Sequence, residues 1–459
     1  MRSARTPNQA LRRLLAEAGW SGAALARALN ALGAELSLPL HYDRSTIGHW
    51  LAGIRPRSPV PELVAEVLSR RLGRHVHVDD TGLAPALAPL LAEGFEPDPL
   101  PRGCDVLDRL DQLSRPIGRR SLNAAGVYSL AVLAIPNWSA PTGAAAPPGP
   151  PGSRRSPVTM EHVQAARSML ALLSQHDATF GAAPVRETLR QYLSTSVIPW
   201  LRADAPARVR RELFTVAGHL VYLCAFAHYD TNRNATAQHY YLTGIALARE
   251  ADDPLGYALG LRGLSVQAHA LGHLAHADQL AEQAARVGVH HAPGHQQAFL
   301  LGQWAVTQAA LGRGHAAAHH LAAAERQLDR STGSSPVGVY HPGSLAMQHS
   351  AVATALGDHT RAINALETSL RHRPGDECRS RAVSLADLAE THIRLGHLEQ
   401  ACHTWQAFLD LCPQLHSARV EDRVRRLNAH LRPHLGNRAV QTLYERAGLL
   451  GRRPTRTPR

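Results

Sequence analysis

The side chains that could do chemistry in this 459-residue chain are 28 histidines, 49 basic residues, 37 acidic residues and five cysteines. Every basic residue is an arginine, for lysine does not occur. That absence excludes the phosphate loop G-x-x-x-x-G-K-[ST], which needs a lysine against the outer phosphates. Neither a G-x-S-x-G elbow nor an H-E-x-x-H pair is present, so hydrolase and zinc-protease signatures are missing. Metal binding is the chemistry that so many imidazoles suggest. His315 and His319 are four apart, and His269, His273 and His276 recur at i, i+4 and i+7. Such spacing can bring two rings to one ion. No carboxylate or thiolate joins either set at ligand spacing, so surface or groove histidines are expected, with no metal and no other cofactor. No nucleophile, acid–base pair or cofactor loop can be assembled, and an enzyme is not expected. Cys104, Cys224, Cys378, Cys402 and Cys412 are odd in number and scattered without C-x-x-C, which fits a reduced interior.

Recognition is the chemistry that remains, and the charge is placed for it. The net charge is +12; residues 1–57 carry +5 (eight Arg against three acids), and residues 419–459 carry +8 (11 Arg against Glu421, Asp422 and Glu445). The chain between them is almost neutral. Basic ends of this kind suit a polyanion, although arginine for lysine throughout also follows from GC-rich coding. A membrane is not expected. Met1–Leu15 has no continuous apolar core, and the uncharged 15-residue run Ser121–Ile135 after Arg119-Arg120 falls short of the ~20 residues that span a bilayer. That run reads as a buried helix, and the protein as cytoplasmic.

Helices must position these groups, because the chain is rich in Ala and Leu and only 5% aromatic, a composition that favours helix over sheet. Asn8–Ala18 is amphipathic through Leu11, Leu14 and Leu15. Ser21 can cap a helix over Gly22–Leu32, with Gly33 after it. Asp43 can cap a third, Arg44–Gly53, whose stripe Ile47, Trp50 and Leu51 leaves Arg44, Ser45, Gly48, His49 and Ala52 outside. Arg55-Pro-Arg57 follows, then helix-like segments near Glu62–Leu72 and Leu83. Residues 1–83 thus form one domain. Residues 84–158 hold the apolar segment and a Pro/Gly/Ala linker over Ser139–Ser153. Residues 159–450 are continuous helical pattern, and 451–459 a basic disordered tail.

In residues 159–450 the intervals repeat. Leu388-Ala389, Gly396, Ala401, Trp405, Phe408 and Pro413 have the spacings of the tetratricopeptide motif, with small residues at the helix crossing and glycine at the turn. Turns recur at Asn232, Gly272, Gly312, Gly357 and Gly396, spaced 40, 40, 45 and 39 apart. Each helix pair leaves an apolar face that only its neighbour can cover, so the pairs stack into a solenoid with a concave groove. Residues 160–216 and Val420–Leu450 read as caps. By register the groove is lined by Arg262, His269, Met347, Gln348, Asp387 and Arg394, candidates for ligand contact.

Leu25-Ala26, Ser45-Thr46-Ile47, Trp50, Gly53 and Arg55-Pro-Arg57 resemble the phage-repressor class of helix-turn-helix domains. A turn lengthened to Gly33–Tyr42, the Asp-Arg-Ser-Thr helix start and the repeats resemble helix-turn-helix/tetratricopeptide transcriptional regulators of high-GC Gram-positive bacteria. The fold expected is therefore all-α: an N-terminal helix-turn-helix domain, a Pro-rich linker and a C-terminal tetratricopeptide-like α-solenoid. The resemblance implies that Arg44, Ser45, Thr46 and His49 face base edges and phosphates of double-stranded DNA while Arg55 and Arg57 hold the backbone. It also implies a homodimer whose repeats receive a signalling peptide, small molecule or protein. A second reading is a protein–protein scaffold with a degenerate DNA-binding domain.

Overall fold

The structure is a computed structural model that describes residues 6–35, 38, 40–57, 59–74, 76–83, 104–115, 128–133, 135–138, 158–331 and 340–451. It is all-α, with no strand among the described residues. The N-terminal domain holds α1 (Gln9–Glu17), α2 (Gly22–Glu35), α3 (Arg44–Leu51) and α4 (Val60–Leu72), then a 3-10 turn over Asp79–Thr81. Leu11, Leu25, Leu29, Ile47, Trp50, Leu63 and Leu68 close a core of their own. Asn8 caps α1, its side chain accepting the Leu11 amide at 2.9 Å. The second helix does not stop at Leu32 but runs on through Gly33 to Glu35. Gly33 serves packing rather than termination: a Cβ there would lie 2.7 Å from the Leu40 side chain, so its absence lets the following loop fold back onto the helix.

Between the domain and the repeats, the described residues include the helix α5 (Cys104–Ser114). Its stripe Val106, Leu107 and Leu110 is buried. The Pro/Gly/Ala stretch Ser139–Ser153 lies outside the described residues, as does the tail beyond Gly451. The apolar run after Arg119-Arg120 is corrected in its described part. Ser121–Gly126 and Val127 lie outside the described residues, but Ala131–Leu133 is a short 3-10 turn, not a continuous helix. Tyr128, Leu130, Leu133 and Ile135 are nonetheless buried in the core of the repeats. No helix among the described residues is long and apolar enough to cross a membrane.

The repeats begin with α6 (Met160–Phe180), α7 (Ala182–Tyr192) and α8 (Ile198–Arg202), the last two joined by a π turn over Leu193–Val197. Six helical hairpins follow. They are α9 (Ala207–Asp230) with α10 (Asn234–Glu250), α11 (Pro254–Ala270) with α12 (Leu274–Gly288), and α13 (Gly294–Ala310) with α14 (Gly314–Asp329). Then come α15 (Pro342–Ala355) with α16 (His359–His372), α17 (Cys378–Arg394) with α18 (Leu398–Leu411), and α19 (Ala418–Leu431) with α20 (Arg438–Gly451). The helical pattern over 160–216 resolves differently from a simple capping pair: α6 and α7–α8 pack on α9, which itself starts the first hairpin.

The spacing explains the hairpins. All five turn residues adopt the left-handed conformation, with φ of +58° at Asn232 and +86°, +75°, +80° and +79° at Gly272, Gly312, Gly357 and Gly396, a region in which side chains crowd the backbone. Five residues beyond each turn, Ala237, Ala277, Ala317, Ala362 and Ala401 are 0% exposed. They are fully enclosed in the packing of the hairpins, where a larger side chain would crowd its neighbours,.

The stack closes on itself. Around Gly181 and His416 the start of the repeats meets the linker between α18 and α19: His416 donates its amide to the Phe180 carbonyl at 2.8 Å, and Ala183 donates to the His416 carbonyl at 3.2 Å. Gly181 has φ +86° and ψ 173°, and a Cβ on it would lie 2.8 Å from the His416 oxygen. Only glycine permits this approach. Beside the seam Arg379 Nη1 pairs with Asp177 Oδ1 at 2.6 Å, Ser417 Oγ donates to Asp230 Oδ1 at 2.9 Å, and Asn232 Nδ2 donates to Asp422 Oδ2 at 3.3 Å.

Candidate nucleic-acid interface

The local chemistry of α3 forces one of its faces outward. Asp43 is extended, and its carboxylate accepts the Thr46 amide at 2.8 Å, the Thr46 hydroxyl at 2.8 Å and the Ser45 hydroxyl at 2.9 Å. Those hydrogen bonds, the Thr46 amide first, hold the Asp43 carboxyl down to about 2. Ile47 and Trp50 turn inward, with Tyr42 edge-on to Trp50 at 5.2 Å between ring centres. The opposite face is left to Arg44, Ser45, Gly48 and His49, all exposed, with Thr46 half-buried at its edge. Gly48 keeps this face flat, since a Cβ there would meet nothing within 4 Å. Beyond the helix Arg55 and Arg57 are also exposed.

The structure thus brings the six residues singled out in the sequence into one region, with a division of labour. Ser45 and Thr46 give their hydroxyls to the cap, whereas Arg44, His49, Arg55 and Arg57 extend from the surface without an ion pair to a described acid. The lengthened turn is pinned at its far end. Asn30 on α2 donates to the Tyr42 carbonyl at 2.9 Å and accepts the Tyr42 amide at 2.8 Å. Sequence reasoning missed Asn30; a lone amide on an otherwise apolar helix face was its only signal. The Asn8 amide donating to the Leu51 carbonyl at 3.0 Å then ties the end of α3 to α1.

The six groove candidates all fall on first helices of hairpins, but they do not form a single cluster. Arg262 on α11 lies 3.3 Å above the Phe299 ring centre and donates to the Phe299 carbonyl at 3.1 Å. Burial lowers its pKa, and the phenols of Tyr222 and Tyr340 counteract this. Tyr340, edge-on to Phe299, donates its hydroxyl to Gln348. Arg262 and Gln348 are therefore joined through two aromatic rings that the sequence pattern did not flag. Met347 accepts the Ser384 hydroxyl at 3.4 Å. Asp387 is paired with Arg423 at 2.7 Å, and Arg423 also reaches Glu390 at 3.1 Å. Burial pushes the Asp387 pKa up against the pull of Arg423. His269 is half-buried near the end of α11, and Arg394 is exposed at the end of α17.

Among the described residues the histidines do not converge on an ion site. The ring centres of His273 and His276 stand 6.5 Å apart and nearly perpendicular, and no group of three His, Cys, Asp or Glu among the described residues is arranged to hold a metal. His273 has instead a carboxylate from a distant part of the chain, with Glu66 Oε1 3.6 Å from its Nε2. Cys224 and Cys378 are buried, Cys402 and Cys412 partly so, and all four are free thiols.

The family described as the SP15 N-terminal domain matches residues 11–84, the span from within α1 to just past the buried Leu83. No curated protein matches the chain.

Proposed function

We propose that the protein is a transcriptional regulator that binds double-stranded DNA through α3, and that its hairpin stack dimerises and receives a peptide, small-molecule or protein signal. The observation that carries this reading is the exposed face Arg44, Ser45, Gly48 and His49, flanked by Arg55 and Arg57, on a helix whose other face is buried by Ile47 and Trp50. A short capped helix with a flat, cationic outer face has the dimensions and chemistry of a major-groove reader. The arginines beyond it suit phosphates, which fix register without reading sequence. The resemblance of these residues to phage-repressor domains supports the same assignment.

Two copies related by a two-fold axis would read half-sites about 34 Å apart, one turn of DNA. The signal acts through its difference in affinity for DNA-competent and incompetent arrangements of the dimer. The test is retention of genomic fragments by the full chain across a salt series. If Arg55 and Arg57 each neutralise one phosphate, log affinity falls with log salt at a slope of about −1.8 per copy. Arg44→Ala with His49→Ala should weaken retention of the preferred fragment by about 1–3 kcal/mol per lost base contact. Enrichment of no fragment in a genome-wide pull-down sinks the proposal. Partner capture that survives Arg44→Ala, with no DNA bound by the wild type, favours the scaffold reading instead.

A further inference from the structure

The N-terminal domain touches the hairpin stack at a buried polar contact built from three separate parts of the chain. Glu66 of α4 accepts from Arg70 Nε at 2.8 Å, and its side chain is 4% exposed. His273, in the turn between α11 and α12, points Nε2 toward that carboxylate at 3.6 Å, beyond hydrogen-bond reach,. Its ring lies parallel to that of Tyr128 from the segment before the repeats, 5.6 Å between centres and 5° between planes. Tyr128 is 1% exposed. Burial pushes its phenol pKa up, the charge of Glu66 adds to this, and Arg70 opposes it. His276, from the first turn of α12, stands edge-on to His273.

The bonding at this contact is incomplete. The Tyr128 hydroxyl and His273 Nε2 are both buried without a hydrogen-bond partner. Buried polar groups in settled cores are nearly always paired, and an unpaired one weakens the packing around it. A junction that encloses a carboxylate, a guanidinium, a phenol and an imidazole, yet leaves two polar atoms unsatisfied, is bonded less tightly than a fully paired one,. The hairpin on its far side is cross-bonded: Ser265 Oγ of α11 donates to the Ala277 carbonyl of α12 at 2.7 Å. Helix α11 carries Arg262 along its length and the His273 turn at its end, so a displacement of α11 reaches both.

We propose that Glu66, Tyr128 and His273 form a releasable latch that fixes the orientation of the N-terminal domain on the α11–α12 turn. Closed, the latch holds α3 at one angle to the stack; open, it frees the domain from the α11–α12 turn. Its consequence for DNA occupancy rests on the function proposed above, but the latch itself does not. Hydrogen exchange on the full chain tests it without any DNA. In Glu66→Gln, amides of Val60–Leu72 and of the turn at 271–274 should exchange at least tenfold faster, while α15–α18 exchange as in the wild type. Tyr128→Phe removes an unpaired hydroxyl and keeps the stacked ring, so it should slow exchange at the same turn. Unchanged exchange in both variants overturns the latch, as does acceleration by Tyr128→Phe. If Glu66→Gln accelerates exchange throughout the chain, Tyr128→Phe decides alone. Separately, wild-type protein that retains no DNA defeats the proposed function and leaves this result standing.

Discussion

Replacing Gly181 by alanine tests whether the stack is held shut at its seam. The backbone at Gly181 (φ +86°, ψ 173°) lies in a region that essentially only glycine enters, and forcing another residue there costs about 1–3 kcal/mol. The added methyl would also lie 2.8 Å from the His416 oxygen, with the backbone on both sides of the contact. The seam has two backbone hydrogen bonds, each contributing about 1 kcal/mol net, so the chain relieves the strain more readily by parting there than by distorting α6 or α7. A shift of about 2 kcal/mol in the opening equilibrium is about a 30-fold loss of protection. Hydrogen exchange read by NMR should show this loss at the amides of Ala183 and His416, while the amides within α11–α14 keep their rates. Gly436→Ala, where a Cβ meets nothing within 4 Å, is the control. Seam amides protected within twofold of the wild type would refute the reasoning, because the strained methyl would then have been accommodated without opening.

Two further outcomes follow from the packing. Burial, then the charges of Arg186, Arg233 and Arg190, depress the His228 pKa to about 3, against about 6.5 in the unfolded chain. The unfolded chain therefore binds the extra proton between these values. This contribution is complete above pH 6.5, declines by about 1.4 kcal/mol per unit below it and is gone near pH 3. Urea midpoints of the wild type should fall more steeply from pH 7 to 5 than those of His228→Phe, and parallel curves would show that the ring is not held neutral. Ala317→Leu, at a helix crossing with 0% exposure, should destabilise by about 1–3 kcal/mol through overpacking. The adjacent, exposed Ala318→Leu should leave the thermal midpoint where it was, and equal shifts in the two would contradict the register of the repeats.

What the sequence made legible was local and periodic. The turn glycines and the alanines five residues later locate the hairpins, because positive φ and close helix approach each admit few residue types. The Asp43 cap with Ile47 and Trp50 likewise fixes which face of α3 looks outward. Gly33 misled, since a glycine that stops one helix is indistinguishable, in sequence, from one that admits Leu40 against the next turn. The seam was invisible for a different reason. Asp177 and Arg379 are 202 residues apart, and no periodicity relates them. The approach of Glu66 to His273 was hidden in the same way. The groove positions were found by register, but register does not tell that Phe299 and Tyr340 stand between Arg262 and Gln348.

A row of hairpins in which each unit touches only its neighbours melts from its ends, and its stability grows by increments as units are added. Joining Phe180 and Ala183 to His416 removes that freedom. The first helices and the start of the last hairpin become neighbours, so the array behaves as a linear lattice with its boundary closed, and parting them must break these two hydrogen bonds together with the Ser417–Asp230 and Asn232–Asp422 contacts. Deleting the last hairpin should then weaken the first as well as the one beside it. Closure also introduces contacts of very long sequence separation into an otherwise local fold, and such contacts slow folding. The hairpins can form early and in any order, but the step that joins the ends waits until the curvature of all of them is in place.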